Sequence, residues 1–189
     1  MWYLNIILKA RQLGFSTAID IYLLDEALFN KNLKCGIIAQ DLTAAGEIYR
    51  TKIEVPFDNL PGWLKAQFKV VTRRGGANGG HILFRHGSSI QVATSFRSGT
   101  VQRLHVSEHG KICAKYPEKA KEVRTGTLQA IHPGAVAFIE STAEGVGGDF
   151  HAMSMKSLEL ARASGELSQL DWKFHFFAWW QDPKYRADV

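Results

Sequence analysis

Cysteine is scarce: Cys35 and Cys113 stand far apart in 189 residues, in different expected elements. That spacing excludes a disulfide framework or a cysteine-rich metal cluster and makes a reducing, intracellular compartment the default. No apolar run approaches the roughly eighteen residues that would span a bilayer. A secretory leader is also missing, because the first lysine follows the apolar start instead of preceding it and an acidic helix comes soon after. There is no internal repeat and no low-complexity tract. The seven histidines make no HExxH spacing, and His105 and His109 straddle a strand end, so structural or surface roles are read for them in place of metal ligation.

What is present describes one globular domain with a sizeable core: 46% hydrophobic and 22% charged residues, too apolar for disorder. A net charge of +5 is compatible with a polyanionic partner without demanding one. Met1 opens directly on a strand and the chain stops soon after an aromatic run, so both ends are expected to be cuts into something larger.

Strands are expected at Trp2 to Leu8, Lys34 to Ala39, Val101 to Val106, Ala135 to Glu140 and Trp172 to Ala178. A hairpin is expected from His81 to Arg85 and Ser89 to Thr94, joined at His86-Gly87-Ser88. Helices are expected at Ser16 to Phe29, at Thr43 to Val55 with a break at Pro56, from Gly62 to Gln67, from Pro117 to about Ile131, and from Asp149 to Ala163 ending before Gly165. Arg73 to Gly80 has the composition of a flexible basic loop. Strands alternating with helices imply right-handed crossovers, a mainly parallel sheet and a three-layer α/β fold.

Three strand ends carry chemistry, and ligands of such sheets gather beyond the carboxyl ends of the strands. The first is Lys9-Ala-Arg-Gln-Leu-Gly-Phe-Ser16, a phosphate loop with its lysine moved. Phe15 holds the usual lysine slot and Lys9 stands where the first glycine belongs. Gly14 gives a tight turn, Ser16 or Thr17 a hydroxyl for Mg²⁺, Lys9 and Arg11 cations for phosphate oxygens, and the helix start favours an anion. An ordinary strand-to-helix turn with a capping serine is the other reading. The second is His105-Val-Ser-Glu108, where Glu108 can orient an attacking water and Ser107 takes the place of a magnesium-holding aspartate. The third is Phe138-Ile-Glu-Ser-Thr142, followed by Ala143-Glu-Gly-Val-Gly-Gly148. Ser141 and Thr142 can hydrogen-bond a γ-phosphate or the attacking water there, and the glycines permit the loop to move when that phosphate leaves. A polar strand end and a flexible surface loop are the plainer readings of these two.

In order and spacing the three resemble the ATPase domain of the large terminase subunit of tailed bacteriophages and prophages. The matching stretches are 9–17, 95–108, 138–145 and Phe176-Phe-Ala-Trp-Trp180 with Tyr185. Displaced lysines occur in that family. The resemblance implies a three-layer P-loop NTPase of the ASCE type with an added β-hairpin, an ATPase domain over 1–180, and at 181–189 the start of a linker to a C-terminal nuclease domain. It implies ATP and Mg²⁺ as cofactors. Lys9, Gln12, Gly14, Ser16 and Thr17 would hold nucleotide, Arg11 would act in cis on the γ-phosphate, and Glu108 would be the catalytic carboxylate. Ser141 and Thr142 would couple hydrolysis to movement, and Ser16 with Glu108 would hold the metal, Glu108 through water. Implied partners are double-stranded DNA, the capsid portal, the terminase small subunit and further copies of the chain, with no membrane, in the bacterial host cytoplasm. Nuclease activity is expected only of a longer protein, and the adenine-contacting segment of the family lies upstream of its phosphate loop.

Two alternatives stand beside it. A helicase-like translocase would be separated by capsid-dependent stimulation of ATPase. A non-catalytic prophage remnant would bind nucleotide weakly or not at all. The aromatic run 172–180 is read as core and packing surface in preference to a base-stacking platform, and Arg73 and Arg74 as a solvated loop or DNA-backbone contacts.

Overall fold

The computed structural model describes residues 3–96, 101–128, 131, 134–163 and 166–185. The expected strand start at Trp2, residues 97–100, 129–130 of the helix drawn from Pro117, Gly165 and the last four linker residues lie outside these.

Along the chain come β1 (Leu4–Lys9), α1 (Phe15–Phe29), β2 (Lys34–Ile38) and α2 (Leu42–Ile48), then a π-type stretch Tyr49–Glu54 running into α3 (Val55–Asp58). Next are α4 (Gly62–Lys65), the antiparallel β3 (Val70–Gly76) and β4 (Gly79–Phe84), and β5 (Ser89–Ala93). The remainder is β6 (Arg103–Ser107), α5 (His109–Lys115), α6 (Pro117–Glu122) with π-type turns Val123–Thr127, β7 (Val136–Ser141), α7 (Gly148–Arg162) and β8 (Trp172–Phe177). The strands form one sheet in the order β3-β4-β5-β2-β6-β7-β1-β8. From β5 to β8 every pairing is parallel, and β3-β4 is a hairpin appended to that edge.

Strand alternation sorts the core into two layers. Ile7, Cys35, Ile37 and Phe138 face α1 and α2, where they meet Ile19, Leu23, Ala27 and Ile48. Leu4, Ile6, Ile38, Leu104, Val106, Ala137 and Ile139 face the other way, onto Ile112, Ala120, Val123 and Phe150. Each of the Leu, Ile, Val and Phe side chains contributes about 1.5–3 kcal/mol by leaving water. The inner strands are mostly apolar because both faces are covered, and the polar residues they do carry, His105, Ser107 and Glu140 among them, are buried.

Four expectations need correction. Arg73 to Gly80 is not a flexible loop: it forms the ends of β3 and β4 and the turn between them. Its glycines are there for close approach, since a Cβ on Gly75 or Gly80 would lie 2.3 or 2.5 Å from the Tyr49 ring. Pro56 does not end its helix. The preceding turns widen to the π form, so the ring and the missing N–H fall where the ordinary ladder has already shifted, and the helix runs on to Asp58. The helix from Pro117 goes over to π-type turns at Val123. The short helix α5, which follows Glu108 directly, was not foreseen.

Candidate functional site

The face of the sheet that packs on α1 ends in polar groups. Continuing the alternation of Asn5 and Ile7 brings Lys9 to this face at the end of β1; Arg103 and His105 lead to Ser107 on β6, and Val136 and Phe138 lead to Glu140 on β7. Parallel register sets Ser107 beside Glu140 and Ile7 beside Glu140. Three strand ends therefore converge under the start of α1.

The loop between β1 and α1 turns at Gln12 (φ 56°) and Gly14 (φ 78°), both left-handed. Gly14 precedes the helix, and no side chain caps it. Ser16, expected as a capping residue in the plainer reading, is instead within the first turn and donates its hydroxyl to Glu140 Oε1 at 2.7 Å. Thr17 and the side chains of Arg11 and Gln12 are exposed. The loop tip is braced by Tyr185, whose hydroxyl donates to the Arg11 carbonyl at 2.6 Å, and by Lys184, which donates to the Gln12 carbonyl. Phe15 packs on Phe177 with ring centroids 4.4 Å apart.

Lys9 is buried, and its ammonium lies 3.0 Å from Glu140 Oε2 and 3.2 Å from Glu108 Oε1. Burial opposes its charge, but the Glu140 and Glu108 carboxylates outweigh burial and hold its pKa above the ordinary lysine value. Glu108 is the residue before α5 and sits at φ 53°, ψ 45°, a left-handed conformation unusual for a side chain of its size. That turn brings its carboxylate back over Lys9, where Lys111 (3.1 Å) and the Thr142 hydroxyl (3.5 Å) also reach it. Strain of this kind, about 1–3 kcal/mol, persists where the surroundings impose it.

Glu140 is fully buried. Besides Ser16 and Lys9 it accepts from Ser107 Oγ at 3.0 Å and lies 3.4 Å from His105 Nε2. Burial alone would raise its pKa; His105, Lys9 and the Ser16 hydroxyl more than offset that and hold it below the ordinary carboxylate range. His105 is itself fully buried, with Nδ1 2.7 Å from Asp20 Oδ1 of α1. Burial disfavours its charge, yet Asp20 and Glu140 raise its pKa to about 9. Lys52, at 3.6 Å, faces the other Asp20 oxygen. Charges thus alternate from Lys52 through Asp20, His105, Glu140, Lys9 and Glu108 to Lys111.

Of the residues singled out from sequence, the structure brings Lys9, Ser16, Glu108 and Thr142 together. Ser141 belongs to the opposite face: its buried hydroxyl lies against α5, 2.8 Å from where a Cβ on Gly110 would be. Glu140, His105 and Asp20 were passed over as site residues, although a carboxylate ending an otherwise apolar strand was the available signal. Arg73 is tied down by Asp58 and by Glu54 at 2.8 Å, and its hydrogen bonds hold Asp58 well below the usual carboxylate range.

The donor set suits a polyphosphate with a hard cation: an ammonium, a hydroxyl backed by a carboxylate, and a helix N-terminus. Among the described residues no group of three or more His, Cys, Asp or Glu is placed to hold a metal unaided. Mg²⁺ commonly completes its shell with phosphate oxygens and water, so Ser16 with its carboxylate backing fits that ion. No helix among the described residues is long and apolar enough to cross a membrane.

No family model and no curated protein matches the chain. Solved structures do. The large-terminase ATPase domain of Thermus phage P74-26 superposes with a TM-score of 0.57 at 15% identity, covering 94% of this chain and 76% of that one. The large terminase of a thermophilic bacteriophage superposes with a TM-score of 0.55 at 13% identity, covering 92% of this chain and 40% of that one. This chain therefore spans less than half of that second protein. The fold is the one seen in these large-terminase ATPase domains, with β7 between the loop strand β1 and the Glu108 strand β6.

Proposed function

We propose that this chain is the ATP-hydrolysing motor domain of a phage DNA-packaging terminase large subunit, coupling hydrolysis to translocation of double-stranded DNA. The observation that carries the reading is the Lys9 ammonium held between Glu108 and Glu140 beneath the start of α1. A buried cation flanked by two carboxylates is costly unless something draws on it. The cation best suited to phosphate here is Lys9, because it is both charged and at the mouth of the loop.

In this mechanism the loop N–H groups and Lys9 take up the phosphates, with Gln12, Gly14 and Thr17 completing the cradle. Ser16 would hold Mg²⁺, which would supply positive charge to offset that of the phosphates. Glu108 orients the attacking water and accepts its proton, with Lys111 and Thr142 fixing the carboxylate. Arg11, at the exposed loop tip, swings onto the γ-phosphate. Thr142 reads loss of that phosphate through Glu108, and Ser141 passes the change to α5 through its contact with Gly110. In the packaging machine the domain works in the host cytoplasm as one of several copies, with the portal, the small subunit and DNA. The mutual pairing of Lys9, Glu108, Glu140 and His105 favours a working site over a decayed remnant.

Two substitutions test the reading. Glu108→Gln keeps ATP binding and loses hydrolysis. Lys9→Ala lowers turnover by about 10³-fold or more, as loss of a key phosphate-stabilising charge does. Wild-type protein that neither binds nor hydrolyses ATP, or a Lys9→Ala protein with unchanged turnover, sinks it.

A further inference from the structure

Position 107 ends β6 on the face that meets the loop, and it is a serine. A neutral hydroxyl there cannot hold Ser16 in place against a divalent cation or offset that cation's charge. Its register partner across the ladder can: Glu140 is fully buried and its Oε1 accepts from both Ser16 (2.7 Å) and Ser107 (3.0 Å). A glutamate reaches one methylene further than an aspartate, and that reach spans the step from β7 to the start of α1.

A purely structural ion-pair partner for His105 would explain one of its contacts. It would not explain why the Ser16 hydroxyl, free of any capping bond to its own helix, is given to Glu140. Nor would it explain why Lys9, the loop cation, shares the same carboxylate at 3.0 Å. Two of the four groups around Glu140 belong to the loop and not to the core.

We infer that Glu140 is the metal-anchoring carboxylate of this site: from the neighbouring strand it orients Ser16 toward Mg²⁺ and supplies the buried negative charge that position 107 lacks. The inference rests on the nucleotide-binding reading above. Glu140 is a positioning residue here, acting through Ser16 and the water shell of the ion. Ser107 serves as its hydrogen-bond brace, and His105 with Asp20 fixes its far side.

The test is Mg²⁺-dependent binding of a fluorescent N-methylanthraniloyl-ATP, titrated in excess MgCl₂ and again in EDTA. Wild-type protein binds more tightly with Mg²⁺. Glu140→Gln is expected to lose roughly 10- to 100-fold of that tightening, the usual effect of removing a partner behind a metal ligand, read as the ratio of its own affinities in MgCl₂ and in EDTA. Because the neutral variant takes from His105 and Lys9 one of their two carboxylate partners and can fail to fold, Glu140→Asp is measured beside it. That variant keeps the charge but withdraws the carboxylate, and it too is expected to lose much of the tightening. Adding Ser107→Asp to Glu140→Gln returns a carboxylate to the neighbouring strand end, beside the lost one, and is expected to restore it, a rescue that a structural role alone would not give. A folded Glu140→Asp protein with the full wild-type tightening overturns the inference, as does a folded double variant without rescue. Wild-type protein that binds the probe in neither condition fails earlier and differently: it removes the nucleotide reading and this inference with it.

Discussion

His105 provides a measurement independent of any ligand. Its imidazole is fully buried between Asp20 and Glu140 and its pKa is raised to about 9 from the ordinary 6.5. A histidine raised on folding stabilises the fold fully below its unfolded pKa, and that contribution is lost as pH climbs through its folded value. The window is therefore about pH 6.5 to 9, and the difference is worth about 3 kcal/mol in this protein. His105→Gln removes the titration. Near pH 6 it leaves two buried carboxylates without their shared cation, a loss of about 3–5 kcal/mol; near pH 10 the wild type has surrendered most of the same advantage. Urea unfolding followed by tryptophan fluorescence gives both stabilities. The gap between the two proteins should shrink by about 3 kcal/mol from low to high pH. Lys9, raised above its ordinary value, and Cys35, pushed up to about 12 by burial, do not titrate inside the window. Groups common to both proteins cancel in the difference. Parallel stability curves would refute the charged His105, and with it the argument that Glu140 is held ionised from below.

Gly110→Ala puts a Cβ 2.8 Å from Ser141 Oγ and 3.1 Å from the Thr142 carbonyl. It should lower stability by about 1–3 kcal/mol in thermal unfolding, and an unchanged melting temperature would show that α5 does not press on β7. Arg73 and Arg74 should separate. Arg73→Ala, which breaks exposed ion pairs with Glu54 and Asp58, should move stability by less than about 1 kcal/mol and leave DNA affinity nearly unchanged. Arg74→Ala should reduce the salt dependence of DNA binding by about one phosphate contact. Equal effects of the two on DNA binding would contradict the pairing seen for Arg73.

The strands β1, β2 and β7 were legible because each is a largely apolar run bounded by turn residues, and α1 and α7 because their length exceeds any strand. The hairpin strand β3 was not. Its glycines read as loop, whereas Gly75 admits the Tyr49 ring, a contact fixed by a residue more than twenty positions away. Likewise α5 escaped notice because it starts immediately after a left-handed glutamate, with none of the usual capping residues before it. Lys9, Ser16 and Glu108 were readable as a set because each follows a strand end. Ser141 was readable as a residue but not as a direction. Strand alternation turns it to the α5 side, and only its placement beside Gly110 makes that visible.

On the proposed nucleotide-binding reading, the two departures of this site from the usual phosphate-loop pattern have a common geometric origin. Moving the lysine from the helix start to the end of β1 places its ammonium next to whichever strand pairs with β1. On the inner side that strand is β7, with Ile7 opposite Glu140, and β6 is one strand further away. A carboxylate at 107 would face the old lysine position from β6 but would be poorly placed for a cation rising from β1. A carboxylate at 140 touches both, and here it does so at 3.0 Å to Lys9 while still reaching Ser16. Cation and carboxylate have moved laterally by complementary steps, one along the loop and one across the ladder. A search that reads along the chain sees two damaged motifs where the sheet presents one repaired pair. Moving the lysine from position 9 to 15 should therefore not improve the site, since Glu140 would keep Ser16 but lose one of the two cations, Lys9 and His105, that balance it.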